Sequence, residues 1–556
     1  MQKHLYTLPF SFFFCFSFLN AQQWGNYTLY STMSGTSTYL IDTNNTNYKV
    51  WTHSSSNRTC YSSYLAPGGT LVRSVQRSGN SFTGGPICGQ IQKVDFSGAI
   101  VWDFVYSTTN YVTHHDHHVM PNGNVLLICY ERKSASEATT AGSTMAIEIW
   151  SEKIVEVQPT GATTGTIVWE WKLWDHLVQN VNPSGANYQS SIVNNPQLMN
   201  INYKTAKDWV HMNGIDYNPI LDQITVSSHN LNEWWVIDHS TTTAEAASHS
   251  GGNAGKGGDF LYRWGNPAAY GATGSAVLNV THDSHWIPEH PDGSPNAGRL
   301  VGFNNKGVSS SQSSVDQIDV PINGYNYTYG TPATYTQRHA ASGYTSNMGN
   351  SNQLPNGNML VCIATQGEIY EINPAGTTIW TKSVSGSVPQ AHRYEACYVA
   401  NAAPAIPTIS ETSGVLTSTP ATTYQWYLNG SLIAGATNQS YTPSQNGIYV
   451  VRITDANGCV YMYSLGYDFV STTSVNEAAE NNFIHVYPNP TTGLVNFELL
   501  SEGKYEVMVT DISGRNILTT SDQRSFDLSG YETGIYFLKI RTENSGVLNR
   551  KIVLTR

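Results

Sequence analysis

Residues 113–118 read "THHDHH": four histidines and one aspartate in six positions. Fifteen of the chain's 17 histidines lie within residues 22–400, mostly in short stretches: "THHDHH", "DWVHMNGIDYNP" (208–219), "SSHN" (227–230), "THDSHWIPEH" (281–290), "TQRHAASGY" (336–344) and "AHRYEACY" (391–398). Two chemistries suit such a supply of imidazole. Zinc or iron takes histidine with carboxylates, which "HHDHH" and "HDSH" offer. The HxHxDH and HExxH spacings of common hydrolase sites are absent, as is any Cys/His zinc spacing. The second chemistry is transfer of an anionic group. Sulfuryl transfer needs donors for three equatorial oxygens, a nucleophile, and an acid for the leaving phenol. Neutral imidazole is a nucleophile near pH 7 and protonated imidazole is a donor and acid, so several histidines with a few arginines suffice without a metal.

For these stretches to cooperate, the fold must bring them together. "MPNGNVLLICY" (120–130) recurs as "LPNGNMLVCIA" (354–364). "KIVEVQPTGATTGTIVWEW" (153–171) recurs at 368–382, at 89–104 and, with an insertion, at 233–242 and 258–264. Each copy reads as strand, tight Pro/Asn/Gly turn, strand, turn, and a strand ending in Trp. Four visible copies and two degenerate ones predict an all-β, six-bladed β-propeller over residues 22–400. The histidine stretches then fall about once per blade, at strand starts and loops that converge on the central channel. Trp102, Trp169, Trp264 and Trp380 read as blade core.

The 556 residues exceed what one core holds, so several domains are expected. Low charge (12%) with abundant aromatics (12%) and 47 glycines fits a turn-rich exported β protein, and a net charge of −11 with no basic run argues against nucleic acid as a partner. Lys3, the apolar Leu8 to Leu19 run and Ala21 read as a signal peptide over residues 1–21, too short to span a membrane. Cys60 and Cys88, in loop-like sequence, suit a disulfide in an oxidising compartment. Cys129, Cys362 and Cys397 read as buried thiols. Pro404 and Pro407 mark a linker. Residues 404–468 read as an immunoglobulin-like β-sandwich with core Trp426 and later-strand Tyr449. The cysteine expected before Trp426 is missing, which leaves Cys459 unpaired.

The C-terminal segment carries "VYPNPTTGLVNFEL" (486–499), "YEVMVTDISGRNIL" (505–518), "GIYFLKI" (534–540) and "KIVLTR" (551–556). It resembles the C-terminal sorting domain of the type IX secretion system of Bacteroidetes. The resemblance implies a small β-sandwich over residues 483–556, the type IX machinery as partner, and export across the outer membrane to the surface or medium.

"HHD" followed by "PNGN", "DWVHMNGIDYNPILDQITVSS", "EWWVIDHSTT", "GGDFLYRWGNP", "HDSHWIP" and "LVGFNN" resemble, in order, the bacterial arylsulfotransferase family. The resemblance covers most of residues 90–400. It implies a six-bladed propeller that moves sulfate from an aryl sulfate donor to a phenolic acceptor, ping-pong through a sulfohistidine, with no cofactor and no metal. Carried over by motif, His282 is the implied nucleophile, His115 a sulfate ligand and acid–base group, and His211 and Asn213 sulfate-binding donors. Where the family has "SSR", this chain has "SSHN", so His229 stands in place of a sulfate-binding arginine. An imidazole holds charge less dependably than a guanidinium. Arg263, Arg338 and Arg393 are candidates to compensate. Plainer roles stand beside these: His114, His117 and His118 as polar rim residues, His115 and His211 as hydrogen-bonded turn residues, His285 as the reactive histidine instead of His282, and His392 with Arg393 as a strand end. Two other functional classes are a non-catalytic surface propeller binding a phenol or glycan, and a metal-dependent hydrolase or lyase.

Overall fold

The computed structural model describes residues 23–204, 206–290, 293–470, 484–499, 504–512, 515–542 and 546–555. The expected signal peptide lies outside them. The chain is nearly all β. Among the described residues no helix is long and apolar enough to cross a membrane.

Six four-stranded antiparallel sheets follow one another between Tyr27 and Tyr394. Five start from their innermost strand: Asn57–Ala66, Tyr111–Val119, Met212–Asn218, Thr281–Trp286 and Asn350–Gln353. The sixth joins the two ends of the series. Ala391–Tyr394 pairs with Tyr27–Ser31, so a late strand completes a sheet of early ones.

The Trp at the end of each repeat holds the sheets together. Burying an indole leaves its N–H in need of an acceptor. Each time, that acceptor belongs to the next sheet or its connections: Trp51 donates to Asp95 O (2.9 Å), Trp102 to Thr164 O (3.0 Å), Trp169 to Thr241 Oγ1 (3.2 Å), Trp264 to Pro332 O (2.7 Å) and Trp380 to Thr43 O (3.0 Å). The last bond returns from the final sheet to the first. The outer strand Gln337–Ala340 has no Trp; there His339 Nε2 meets Tyr370 OH of the next sheet at 3.0 Å. The "TQRHAASGY" stretch therefore sits on an outer strand, away from the inner strands.

Between residues 409 and 469 the chain forms a three-stranded and a five-stranded sheet, with Trp426, Tyr449, Leu416 and Val451 between them. This segment belongs to the same compact unit as the six sheets. Tyr427 OH and Arg452 both reach Glu289. A second unit, residues 470–556, has a three-stranded and a four-stranded sheet around Val495, Phe497, Val507, Leu538 and Ile552.

Candidate active site

The inner strands Tyr111–Val119, Met212–Asn218 and Thr281–Trp286 do not pair regularly with their neighbours. Register shifts fall between Thr113 and His117, Met212 and Gly214, and His282 and His285. Such bulges kink a strand and re-aim its side chains. At these places the backbone is left-handed at His115 (φ 49°), His211 (φ 56°) and Asp283 (φ 57°). A non-glycine residue holds that conformation only where its surroundings impose it.

The kinks bring four histidines side by side. Ring centroids lie 4.6 Å apart for His115 and His211, 5.0 Å for His211 and His229, and 5.5 Å for His229 and His282. His229 follows the strand Gln223–Ser228, and its N–H donates to His211 O at 3.0 Å. Gly85, in the loop that precedes Cys88, closes over the pair His115–His211. A methyl on Gly85 would lie 2.6 Å from His211 Cε1 and 3.2 Å from His115 Cε1. The Cys60–Cys88 disulfide is present and anchors the end of this loop.

Each ring is held by a partner behind it. His282 Nδ1 faces Asn305 Oδ1 at 2.7 Å, and Asn305 Nδ2 donates to Thr345 O and Met348 O. The two carbonyls fix the amide's orientation, so His282 Nδ1 carries the proton and Nε2 the lone pair. That Nε2 accepts the Met348 N–H at 3.1 Å. His211 Nδ1 lies 2.6 Å from Asp208 Oδ2 and 3.1 Å from Tyr130 OH, which also donates to Asp208 Oδ1. His115 Nδ1 lies 2.8 Å from His114 Nδ1, and His114 Nε2 lies 2.9 Å from Glu152 Oε2.

Burial and mutual repulsion set the protonation of the group. Burial, then neighbouring His211 and His114, pushes His115 well below the usual imidazole range. Burial and His229 do the same to His282. Burial and His211 pull His229 down to about 4. Without an anion, these three rings are neutral near pH 7.

Asn213 is buried between the same strands. Its Nδ2 donates to Thr281 O (2.8 Å) and its Oδ1 accepts from Ser227 Oγ (2.6 Å), which leaves one amide hydrogen. The three arginines expected to compensate for His229 are not at the cluster. Arg263 is fully buried against Glu233 (2.6 and 3.1 Å) and Leu198 O (2.9 Å). Arg338 pairs with Asp316, and Arg393 with Glu371 beneath Trp380. Each guanidinium already neutralises a carboxylate that would otherwise be left uncompensated, so none is available to an anion.

His114 and His117 are buried, not rim residues. His114 backs His115, and His117 Nδ1 meets Ser62 and Ser74 at 2.8 and 3.0 Å. His118 is partly exposed and pairs with Asp216. His285 turns to Asp283 instead of His229. Burial opposes its charge, but Asp283 and Asp216 outweigh that and lift it to about 9. His392 packs on Tyr64 (4.5 Å between rings). The four expected blade-core tryptophans are all buried.

Sequence reasoning missed Glu152, Asp208, Tyr130, Asn305 and Gly85. Asp208 carried a usable signal, since it sits three residues before His211 in "DWVHMN". Asn305 lay inside the quoted "LVGFNN". Glu152 gave none, because its link to His114 crosses strands.

The secretion-system C-terminal sorting domain model matches residues 485–555, which marks the chain for type IX export across the outer membrane to the cell surface or medium. No curated protein matches the chain. Distant structural likenesses include a protein of unknown function from Bacteroides caccae (10% identity, 66% of this chain and 98% of that one, TM-score 0.38). The Pseudomonas aeruginosa periplasmic gluconolactonase PpgL is another (12%, 79% and 99%, TM-score 0.34). The arylsulfotransferase (ASST) family model matches residues 75–393, a span that includes all four clustered histidines and Asn213. The chain belongs to the arylsulfotransferase family.

Proposed function

We propose that residues 22–400 form a six-bladed propeller that moves a sulfuryl group from an aryl sulfate to a phenol through a sulfohistidine at His282. An immunoglobulin-like spacer (404–468) and the sorting domain (483–556) follow it. The observation that carries this reading is the side-by-side meeting of His115, His211, His229 and His282, with His282 Nε2 left as the lone-pair nitrogen by Asn305.

In the first half-reaction His282 Nε2 attacks sulfur, the S–O bond to the phenol breaks, and the leaving oxygen takes a proton from His115. In the second, an acceptor phenol returns a proton to His115 while its oxygen attacks sulfur, and the N–S bond breaks. The Met348 N–H must yield its bond to His282 Nε2 for sulfur to approach. His211, anchored on Asp208, and the remaining amide hydrogen of Asn213 donate to the sulfuryl oxygens. The chain Glu152–His114–His115 gives His115 both states. With Glu152 protonated, His114 donates to His115 Nδ1 and the opposite nitrogen carries the proton that the leaving oxygen takes. As it goes, a proton moves from Glu152 through His114 to His115 Nδ1, so the ring stays neutral and the opposite nitrogen becomes the acceptor, and the acceptor phenol's proton reverses the shift. Incubation with a chromogenic aryl sulfate, with and without a phenol, tests the reading. Phenol release should depend on the acceptor and be insensitive to chelator over the assay.

His229 favours a second reading. With Arg263, Arg338 and Arg393 all paired elsewhere, a non-catalytic propeller would hold a phenolic or glycan ligand. Binding of an aryl sulfate without any turnover, at every pH tested, would select it.

A further inference from the structure

We infer that His176, His249 and Asp259 form a binding site for a divalent transition ion of the zinc type, separate from the histidine cluster. Among the described residues this is the only group of three His, Cys, Asp or Glu donors whose atoms lie within 4.8 Å of one another.

The three come from separate places. His176 ends the short turn Leu173–Asp175, His249 follows the helix Thr243–Ala246, and Asp259 precedes the strand Tyr262–Trp264. His176 is fully buried, with its ring parallel to Trp171 (5° between planes, centroids 5.8 Å apart). Its Nε2 lies 2.8 Å from Ala246 O. A carbonyl only accepts, so Nε2 carries a proton. In the neutral ring Nδ1 is then a bare lone pair, yet it faces Asp259 Oδ1 at 2.8 Å. His249 Nδ1 approaches the same oxygen at 2.7 Å. Acceptors that face one another inside a protein are costly unless a positive centre lies between them. A histidine whose far nitrogen is held by a backbone carbonyl, and whose near nitrogen meets a carboxylate and a second imidazole, has the setting of a metal ligand.

Two imidazole nitrogens and one carboxylate oxygen suit zinc at about 2.0–2.2 Å from each, with a fourth position for water. The donors must spread slightly, and His249, whose side chain is 61% exposed, is free to do so. Gly258 shows how tightly the site is built, since a Cβ there would come within 2.6 Å of His176 Nε2 and 2.0 Å of Ala246 O. The ion would clip the glycine-rich segment 250–258, in which Gly251, Gly252, Gly255 and Gly257 all have positive φ, to the segment that carries His176. Closing a flexible loop with a metal recovers stability that its glycines would otherwise forfeit.

The test uses the full chain, stripped with chelator and titrated with Zn²⁺ by calorimetry, beside His249→Ala and His229→Ala. The exposed His249 can be replaced without disturbing the core, and His229→Ala reports any zinc held by the histidine cluster. Wild type and His229→Ala should both show an equivalent of zinc that His249→Ala lacks. Trypsin cleavage after Lys256 should slow by ~10-fold at zinc ten times its Kd in wild type, and not in His249→Ala. Equal zinc binding by wild type and His249→Ala, or no binding by wild type, would overturn the inference.

Discussion

Asn305 determines which nitrogen of His282 carries the proton. Its Nδ2 is held by Thr345 O (3.0 Å) and Met348 O (2.9 Å), so its oxygen must face His282 Nδ1 at 2.7 Å, and Nε2 is left as the lone-pair nitrogen. An aspartate would instead favour the imidazolium. Its charge opposes the burial that keeps His282 neutral and raises its pKa. Asn305→Asp should therefore move the acid limb of the pH–rate profile to higher pH and lower kcat at neutral pH, by ~10²-fold or more. Loss of activity with an unmoved acid limb would show that Asn305 only shapes the turn.

His229, pulled down to about 4 by burial and His211, is neutral in the resting protein at pH 7. An aryl sulfate brings negative charge, favours the imidazolium and raises that pKa. Binding should take up a proton, seen by calorimetry in buffers of different ionisation enthalpy, and KM should rise with pH above the bound-state pKa. His229→Arg, always charged, should remove the uptake and extend activity to higher pH. Unchanged proton uptake and pH profile in an active His229→Arg would place anion neutralisation on His211 or His115.

Gly85 leaves no room beside the paired rings, since a methyl would sit 2.6 Å from His211 Cε1. Gly85→Ala should displace His211 or His115 and lower kcat/KM by ~10²-fold, with thermal stability little changed. Full activity in Gly85→Ala would show that His211 and His115 need not hold this geometry.

Several histidines are buried neutral. Burial lowers His53, His117 and His392 to about 3, and His229 to about 4; His114, His115 and His282 are also well below 6.5. Unfolding lets them bind protons, so stability is full above about pH 6.5 and falls as pH drops below it, with each such group contributing up to ~1.4 kcal/mol per pH unit. His239 and His285, raised to about 9, act oppositely and contribute stability that fades as pH climbs from 6.5 toward 9. Asp116, raised to about 7 by burial and Asp283, and Glu152, raised by burial, also favour the fold as pH falls, but the lowered histidines outnumber these two together with His239 and His285, so denaturant midpoints should fall from pH 7 to pH 5. A midpoint that rose over that range would contradict the buried-neutral assignment.

The repeats were legible because a Trp-terminated strand and a Pro-Asn-Gly turn are local signals. They located the outer edges of the sheets, where Trp51, Trp102 and Trp380 bond across to the next sheet. Motif order led to His115, His211, His229 and His282, and the structure brings these four together. Sequence leaves Arg263, Arg338 and Arg393 open as compensating charges, because it cannot show that Glu233, Asp316 and Glu371 already pair with them. His114 was read as rim because its partner Glu152 lies on a different strand. His176 and His249 carry no sequence signal, since His249 lies 73 positions after His176 and no short spacing announces them.

The most direct measurement of the central claim is the site of covalent attachment. The protein is mixed with an aryl sulfate in the absence of acceptor, quenched at alkaline pH to protect N–S bonds, digested and sequenced by mass spectrometry. The account predicts a sulfuryl adduct on His282, absent from His282→Ala and lost when a phenol is added before the quench. Transfer to phenol without any adduct on His282, or an adduct on another residue that persists in an active His282→Ala, would contradict it.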